Sequence, residues 1–171
     1  MLRFIEYSIL FLIVSFLQIF LFNHLYMGYF VNPFIYLSFI ILLPIDMRDY
    51  KILLLGLFTG LVMDFFMGSP GINVMATVLV SFCRPALIRF FMVKDDIEKG
   101  GIPNVDKMGL VKFLNYSFLM VFLHAAAFFM LESMSFAGIA YTFLKIIVNT
   151  IGTVFTVYIC QLLFLSKRSK V

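Results

Sequence analysis

Charged residues are scarce in this chain of 171 residues, where Asp, Glu, Lys and Arg together make up only 13% of the sequence. Tryptophan is absent, and cysteine occurs only at Cys83 and Cys160. Both cysteines lie in apolar stretches without the spacing of metal ligands, so we predict free buried thiols and neither a disulfide nor a zinc site. The low charge, with 63% hydrophobic residues, excludes a soluble globular domain and indicates an integral membrane protein.

Apolar runs of membrane-spanning length occur at roughly residues 4–25, 30–45, 51–67, 72–92, 110–131 and 138–165. They predict an all-α integral membrane protein in which residues 1–171 form a single domain of six transmembrane helices. The second and third runs are short and are bounded by Pro33, Pro44 and the charged stretch 46–51. A re-entrant pair that does not cross fully is therefore the alternative. The first run is too long for a signal-peptide core and lacks a small-x-small cleavage site, so we expect a permanent span.

Positive charge alternates along the connections between these runs. All Lys and Arg residues except Arg84 and Lys145 fall in the N-terminus, the second connection, the fourth connection or the C-terminal tail. Because such residues concentrate in cytoplasmic connections, we predict that the N- and C-termini are both cytoplasmic. The net charge of +4 is thus a topology signal with some attraction to anionic membrane lipids, and it gives no indication of nucleic acid as a partner.

Small and acidic residues form a seam in the third run. Gly56, Gly60, Asp64 and Gly68 recur at every fourth position, which places them on one face of an α-helix, and Pro70 follows. Glycine at this spacing lets the backbone of another helix approach closely, and an aspartate inside a bilayer must face protein, water or a counter-charge. We therefore expect a helix-packing or partner face here.

Other polar residues inside the runs also recur at helical spacing. A seam that holds helices together is the favoured interpretation, and a cavity for water or a ligand is the alternative. The positions are Ser8, Ser15 and Gln18 in the first run, Asn73, Thr77, Ser81 and Arg84 in the fourth, and Lys145, Asn149, Gly152 and Thr156 in the sixth.

Four charged or titratable side chains inside the membrane are each open to two interpretations. Asp64 and Lys145 lie in the outer halves of their helices and form an ion pair, or else Lys145 extends outward while Asp64 is protonated or bonded to hydroxyl groups. Arg84 precedes Pro85 and either binds freed carbonyl groups or a carboxylate, or reaches the inner surface. His124 is a proton-relay group or a hydrogen-bonded core histidine.

Enzyme chemistry finds little support in these residues. Neither a nucleophile with its base nor a set of metal ligands converges by spacing, so we predict no catalytic residue, no metal and no cofactor. The connection at 94–112 is the only long one, and its Gly100, Gly101 and Pro103 predict a loop rather than a domain. Its lysines are the predicted cytoplasmic contact: Lys94, Lys99, Lys107 and Lys112.

Residues 56–71, GLFTGLVMDFFMGSPG, resemble the signature of the MreD family of bacterial rod shape-determining membrane proteins. The segment from Asn32 to Pro44, the Arg84–Pro85 pair, the long loop and the short basic tail are also similar in layout to that family, so the resemblance covers nearly the whole chain. One departure is that Pro70 and the following glycine adjoin here, whereas many members have an extra residue between them.

The resemblance implies a non-enzymatic subunit of the cell-elongation complex in the bacterial cytoplasmic (inner) membrane. Such a subunit links actin-like filaments and the bitopic protein MreC to the glycosyltransferase and the transpeptidase that build lateral peptidoglycan. In that setting Gly56, Gly60 and Asp64 belong to a packing or partner face, and the loop at 94–112 is the cytoplasmic contact.

A substrate-binding subunit of an energy-coupling-factor vitamin transporter is the alternative, since those six-span proteins are similar in length and MreD proteins are thought to resemble their fold. It would place Asp64, Lys145, Asn149 and His124 around a small ligand near the outer face. Those subunits share an Ala-x-x-x-Ala face on the first helix, and no alanine precedes Ala76 here. An intramembrane enzyme built on His124 and Asp64 is a third option.

Overall fold

The computed structural model describes residues 2–22, 32–134 and 138–166, and every regular element in these ranges is helical. Helix α1 continues directly into π-helical turns at Leu17–Phe22. The helices are α1 (Leu2–Phe16), α2 (Leu37–Ile41), α3 (Asp49–Met67), α4 (Ile72–Phe91), α5 (Lys94–Glu98), α6 (Val105–Met108), α7 (Leu110–Ser133) and α8 (Ile139–Ser166).

Five of the described helices are long and apolar enough to cross a membrane: α1 with its π-helical turns, α3, α4, α7 and α8. Between 28% and 44% of each apolar stretch is buried inside the protein. Large apolar side chains are exposed on all five, and a lipid environment explains why they are apolar there. The prediction of an all-α, multi-pass membrane protein is confirmed.

The second apolar run does not form the predicted helix over 30–45. Only the five residues of α2 are helical, and Pro33 and Pro44 flank this short helix on either side. We call residues 32–45 the buried segment, because its side chains from Pro33 to Pro44 are buried. The third run, in contrast, forms α3, a continuous helix of 19 residues that is long and apolar enough to cross a membrane. The part of the prediction that falls on residues 23–31 lies outside the described residues.

The long helices pack in chain order, with α3 against α4, α4 against α7, and α7 against α8. The buried segment lies among them, because α2 contacts α1, α3, α4, α7 and α8. Its side chains fill the centre of the hydrophobic core, where Phe34, Tyr36 and Leu37 are fully buried. The core is therefore organised around a segment that is mostly not helical.

The predicted loop at 94–112 contains two short helices, α5 and α6, and it folds back onto the bundle. Asn104 caps α6 by accepting a hydrogen bond from the Lys107 amide at 3.1 Å. The Gly101 carbonyl accepts a 2.7 Å hydrogen bond from the Ile45 amide, which ties the loop to the buried segment. Lys94, Lys99 and Lys112 are exposed, as a contact surface requires, whereas the Lys107 ammonium binds the Gly100 carbonyl of the same loop.

Candidate functional site

The turn between α3 and α4 is shaped by two glycines with left-handed backbone conformations. Gly68, at φ +67°, ends α3, and Gly71, at φ +84°, is the N-cap residue of α4. Because Gly71 has no side chain, it cannot bind the first N–H groups of α4. Asp64 of α3 supplies the missing acceptor, with 3.0 Å from Asn73 N to Oδ1 and 2.9 Å from Val74 N to Oδ2.

Side chains complete the hydrogen bonding of the Asp64 carboxylate. The Ser69 hydroxyl donates to Oδ1 at 2.5 Å, and the Asn73 amide group donates to the same oxygen at 3.1 Å. All of these contacts come from donors, and they lie at the N-terminal, partially positive end of α4. Asp64 therefore acts as the N-cap of α4 from the neighbouring helix, and this explains how a buried carboxylate is stable in the membrane.

Close packing against α4 covers the glycine seam of α3. A Cβ atom on Gly60 would lie 2.5 Å from Cα and 2.9 Å from N of Val74, and a Cβ atom on Gly56 would lie 2.8 Å from Cβ of Ser81. Gly56, Gly60 and Asp64 are all buried. The seam is therefore an internal packing face within one chain.

Gly68 and Pro70 lie outside the part of α3 that packs against α4. Both residues are exposed, and a Cβ atom on Gly68 would meet no neighbour within 4 Å. Gly68 is present for its backbone conformation at the end of α3, where the regular four-residue spacing of the seam no longer has a helix to follow.

A buried chain of hydrogen bonds connects Asp64 to His124. The Tyr36 hydroxyl is 2.9 Å from Asn73 Oδ1 and 2.8 Å from His124 Nε2. Because Asn73 uses its amide N–H groups on Asp64 and Ser69, its Oδ1 must accept from Tyr36, and the Tyr36 oxygen then accepts from His124 Nε2–H. His124 is thus a hydrogen-bonded core histidine, fully buried.

Helix side chains bind the backbone N–H groups at the start of the buried segment. This part of the segment has no regular secondary structure, so its N–H groups need partners from outside it. The Asn32 N–H group donates to Asn149 Oδ1 at 2.5 Å. The Phe34 N–H group donates to Thr153 Oγ1 at 2.9 Å, and the Ile35 N–H group donates to Gln18 Oε1 at 2.8 Å.

Arg84 and Tyr116 bind the carbonyl groups at the other end of the segment. The Arg84 guanidinium donates through Nη2 to the Leu43 carbonyl, and the Tyr116 hydroxyl donates to the Ile41 carbonyl at 3.2 Å. Arg84 is fully buried, so it does not reach the inner surface. Its acceptor belongs to the buried segment rather than to the helix turn before Pro85, because the Leu43 carbonyl lacks a helical partner.

Lys145 and Asp64 have different partners, so the interpretation as an ion pair is wrong. Lys145 Nζ lies 3.8 Å from Glu132 Oε2 at the end of α7, near the rings of Phe129 and Tyr141. Asp64 is instead bonded to the Ser69 hydroxyl and to N–H groups, which agrees with the alternative of a hydroxyl-bonded carboxylate. The N–H groups at the N-terminus of α4 bind the Asp64 carboxylate in place of the Lys145 ammonium.

Sequence reasoning identified Asp64, Asn73, Asn149 and Arg84 but missed several of their partners. Tyr36, Tyr116 and Thr153 have no distinctive spacing, and the apolar residues around Tyr36 hide its hydroxyl in an unbroken hydrophobic run. Ser69 had a usable signal, since a serine between a glycine that ends one helix and a glycine that precedes the next is well placed to bind a nearby carboxylate.

Ser69 and His124 are not in direct contact, because Asn73 and Tyr36 lie between them in the hydrogen-bonded chain. The Ser69 hydroxyl is bonded to the Asp64 carboxylate, whose oxygens also accept from the N–H groups of Asn73 and Val74. Within residues 2–22, 32–134 and 138–166, no group of three or more His, Cys, Asp or Glu side chains is arranged to hold a metal ion. Cys83 and Cys160 are free thiols, as predicted, but both are only partly buried.

Fold and site together define a multi-pass α-helical membrane protein in which buried polar side chains hold an irregular central segment and a tight helical corner. No protein-family model, curated protein or solved structure matches the chain.

Proposed function

We propose that this chain is a non-enzymatic scaffold subunit of the bacterial cell-elongation complex, as its resemblance to the MreD family implies. The observation that supports the proposal is that the MreD-like residues act together in one structural unit. Gly60 admits α4, Asp64 caps it, Gly68 ends α3 and Ser69 completes the carboxylate site. Residues of the motif that form one structural unit support the resemblance more strongly than the same residues would if they lay in unrelated places.

We further propose six crossings with both termini in the cytoplasm. Asn32 binds Asn149, which lies roughly 15 Å along α8 from its start, and Ile45 binds Gly101 in the long loop. The buried segment thus extends from the middle of α8 to the long loop. This extent supports its assignment as the cytoplasmic half of a crossing that is not a continuous helix. Together with the five long helices, such a crossing would make six in total, which agrees with the alternation of positive charge along the connections.

Partner contacts in this proposal fall on outward helix faces and short loops, because α4 covers the glycine seam. Leu54, Phe58, Leu61 and Phe65 of α3 all point outward. Beside them lies an apolar groove of about 530 Å³ between α1 and α3, lined by residues such as Phe11, Phe16, Phe20 and Phe66, with Ser15 as its polar residue. A bitopic protein such as MreC would bring a transmembrane helix suited to such surfaces.

Depletion of the protein in its host bacterium tests the proposal. We expect rod-shaped cells to become round, an intact gene copy to restore their shape, and an affinity-tagged copy to co-purify with MreC from detergent extracts. A copy carrying Arg89→Gln, an exposed change, serves as the matched positive control. Retention of rod shape together with absence of MreC from the purified material would contradict the proposal.

A vitamin-binding transporter subunit is the second candidate, and the broken central segment favours it. Transporters place substrates near the membrane midplane at interrupted helices. In this chain Phe34, Tyr36 and Leu37 fill that position. Stoichiometric co-purification of a vitamin with the protein, and loss of the vitamin in a Tyr36→Ala variant, would support this candidate over the scaffold.

A further inference from the structure

Arg84 carries a positive charge in the protein interior with an incomplete set of partners. Its side chain is fully buried, and Nη2 donates to the Leu43 carbonyl. Nε and Nη1 are buried and have no hydrogen-bond partner among the residues that the structure describes. Two guanidinium donors therefore remain available on a side chain that water and lipid headgroups do not reach.

No described carboxylate balances this charge. Asp64 is the other charged residue among the described buried side chains, and it is bound at the start of α4, about ten residues or roughly 15 Å before Arg84 along that helix. The nearest hydrogen-bonding groups of the protein, the Leu43 carbonyl and the Tyr116 hydroxyl, are both neutral. An isolated buried charge is costly unless an opposite charge accompanies it.

We propose that Arg84 binds a small monovalent anion of halide size, held between α4, α7 and the buried segment. The guanidinium supplies both the charge and the free Nε and Nη1 donors. Full burial restricts the ligand to a small ion and excludes a lipid phosphate or the side chain of another protein.

The bound anion would stabilise the folded protein and would not depend on the scaffold function. Arg84 binds the carbonyl end of the buried segment, so neutralising its charge stabilises the junction of the segment with α4. Anion binding would therefore raise thermal stability whether or not the chain belongs to the cell-elongation complex, because a ligand that binds only the folded state stabilises it.

Thermal unfolding of the purified full-length protein in nanodiscs tests the proposal, with sodium chloride exchanged for sodium gluconate at constant ionic strength. We expect chloride to raise Tm saturably, by about 5 °C, and bromide to act similarly. Arg84→Gln should abolish the dependence. Arg89→Gln, which removes an exposed arginine of the same helix, should retain it.

Anomalous scattering from crystals grown in bromide supplies a readout that does not depend on the stability of a variant. We expect a bromide peak within hydrogen-bond distance of Arg84 Nε or Nη1. Equal Tm values in chloride and gluconate, together with no anomalous peak at Arg84, would overturn the proposal and assign these donors to water.

Discussion

Asp64 is separated by nine and ten residues from the two backbone N–H groups that it binds, those of Asn73 and Val74. This separation explains why the sequence predicted the seam but did not predict that Asp64 caps α4. Spacing places Asp64 on the same face as Gly60, yet it does not show which atoms face it. The N-terminus of α4 settles the role, since its free N–H groups need an acceptor and Gly71 provides none.

Replacing Asp64 with Asn should destabilise the protein by about 1–3 kcal/mol, because the new NH₂ group would face donors instead of accepting from them. Chemical denaturation in detergent, followed by circular dichroism, measures the change. Asp49→Asn is the control, since Asp49 is exposed and forms only a long 3.9 Å ion pair with Arg89. Equal stability of the two variants would contradict the capping role.

Gly60→Ala should lower the thermal midpoint more than Gly56→Ala does. The added methyl group on Gly60 meets the backbone of Val74 at 2.5 Å, so α3 and α4 must separate. On Gly56 its closest contact is the Ser81 hydroxyl, which can rotate, and Cβ of Ser81 at 2.8 Å requires a smaller separation of the helices. Gly152→Ala is the matched control, since its nearest new neighbour is 4.0 Å away. A midpoint for Gly60→Ala equal to that of the control would show that this close approach is absent.

At the scale of elements, the sequence predicted the long helices well. Apolar runs, together with Gly and Pro at their ends, place α3, α4, α7 and α8 within a few residues of their observed bounds. The helical conformation of the buried segment was predicted wrongly, because hydropathy reports only an apolar environment. A non-helical segment that is buried in protein is as apolar as a helix that faces lipid. Its partners Asn149 and Thr153 lie 117 and 119 residues away in sequence. No local pattern encodes those contacts.

Thr153→Val should destabilise the protein by about 1–3 kcal/mol, because the Phe34 N–H group would lose its acceptor in a place without water. Thr156→Val, three residues further along α8, should have little effect, since the Thr156 hydroxyl donates only to the Thr153 carbonyl of its own helix. Unfolding midpoints of the two variants, measured side by side, compare the two roles. A greater loss in Thr156→Val would be incompatible with the arrangement of the segment.

At the scale of the whole molecule, the side assignments rest on the distribution of positive charge. In a background with Cys83→Ser and Cys160→Ser, we expect Lys99→Cys to react with membrane-impermeant maleimide only after the cells are opened. Met134→Cys, at the exposed far end of α7, should react in intact cells. Reaction of both positions from the same side would contradict the proposed topology.

The central claim is that the glycine seam of α3 is covered by α4 of the same chain and leaves the outward faces to partners. Oxidative crosslinking of Gly56→Cys with Ser81→Cys, in the background without native cysteines, measures this directly. The two Cβ positions face each other at 2.8 Å, so a separation of the helices by about 1 Å brings them to the distance that a disulfide needs. We predict a disulfide within one chain, which leaves the mass unchanged on a non-reducing gel. A disulfide between two chains, or no disulfide in the membrane, would contradict the claim.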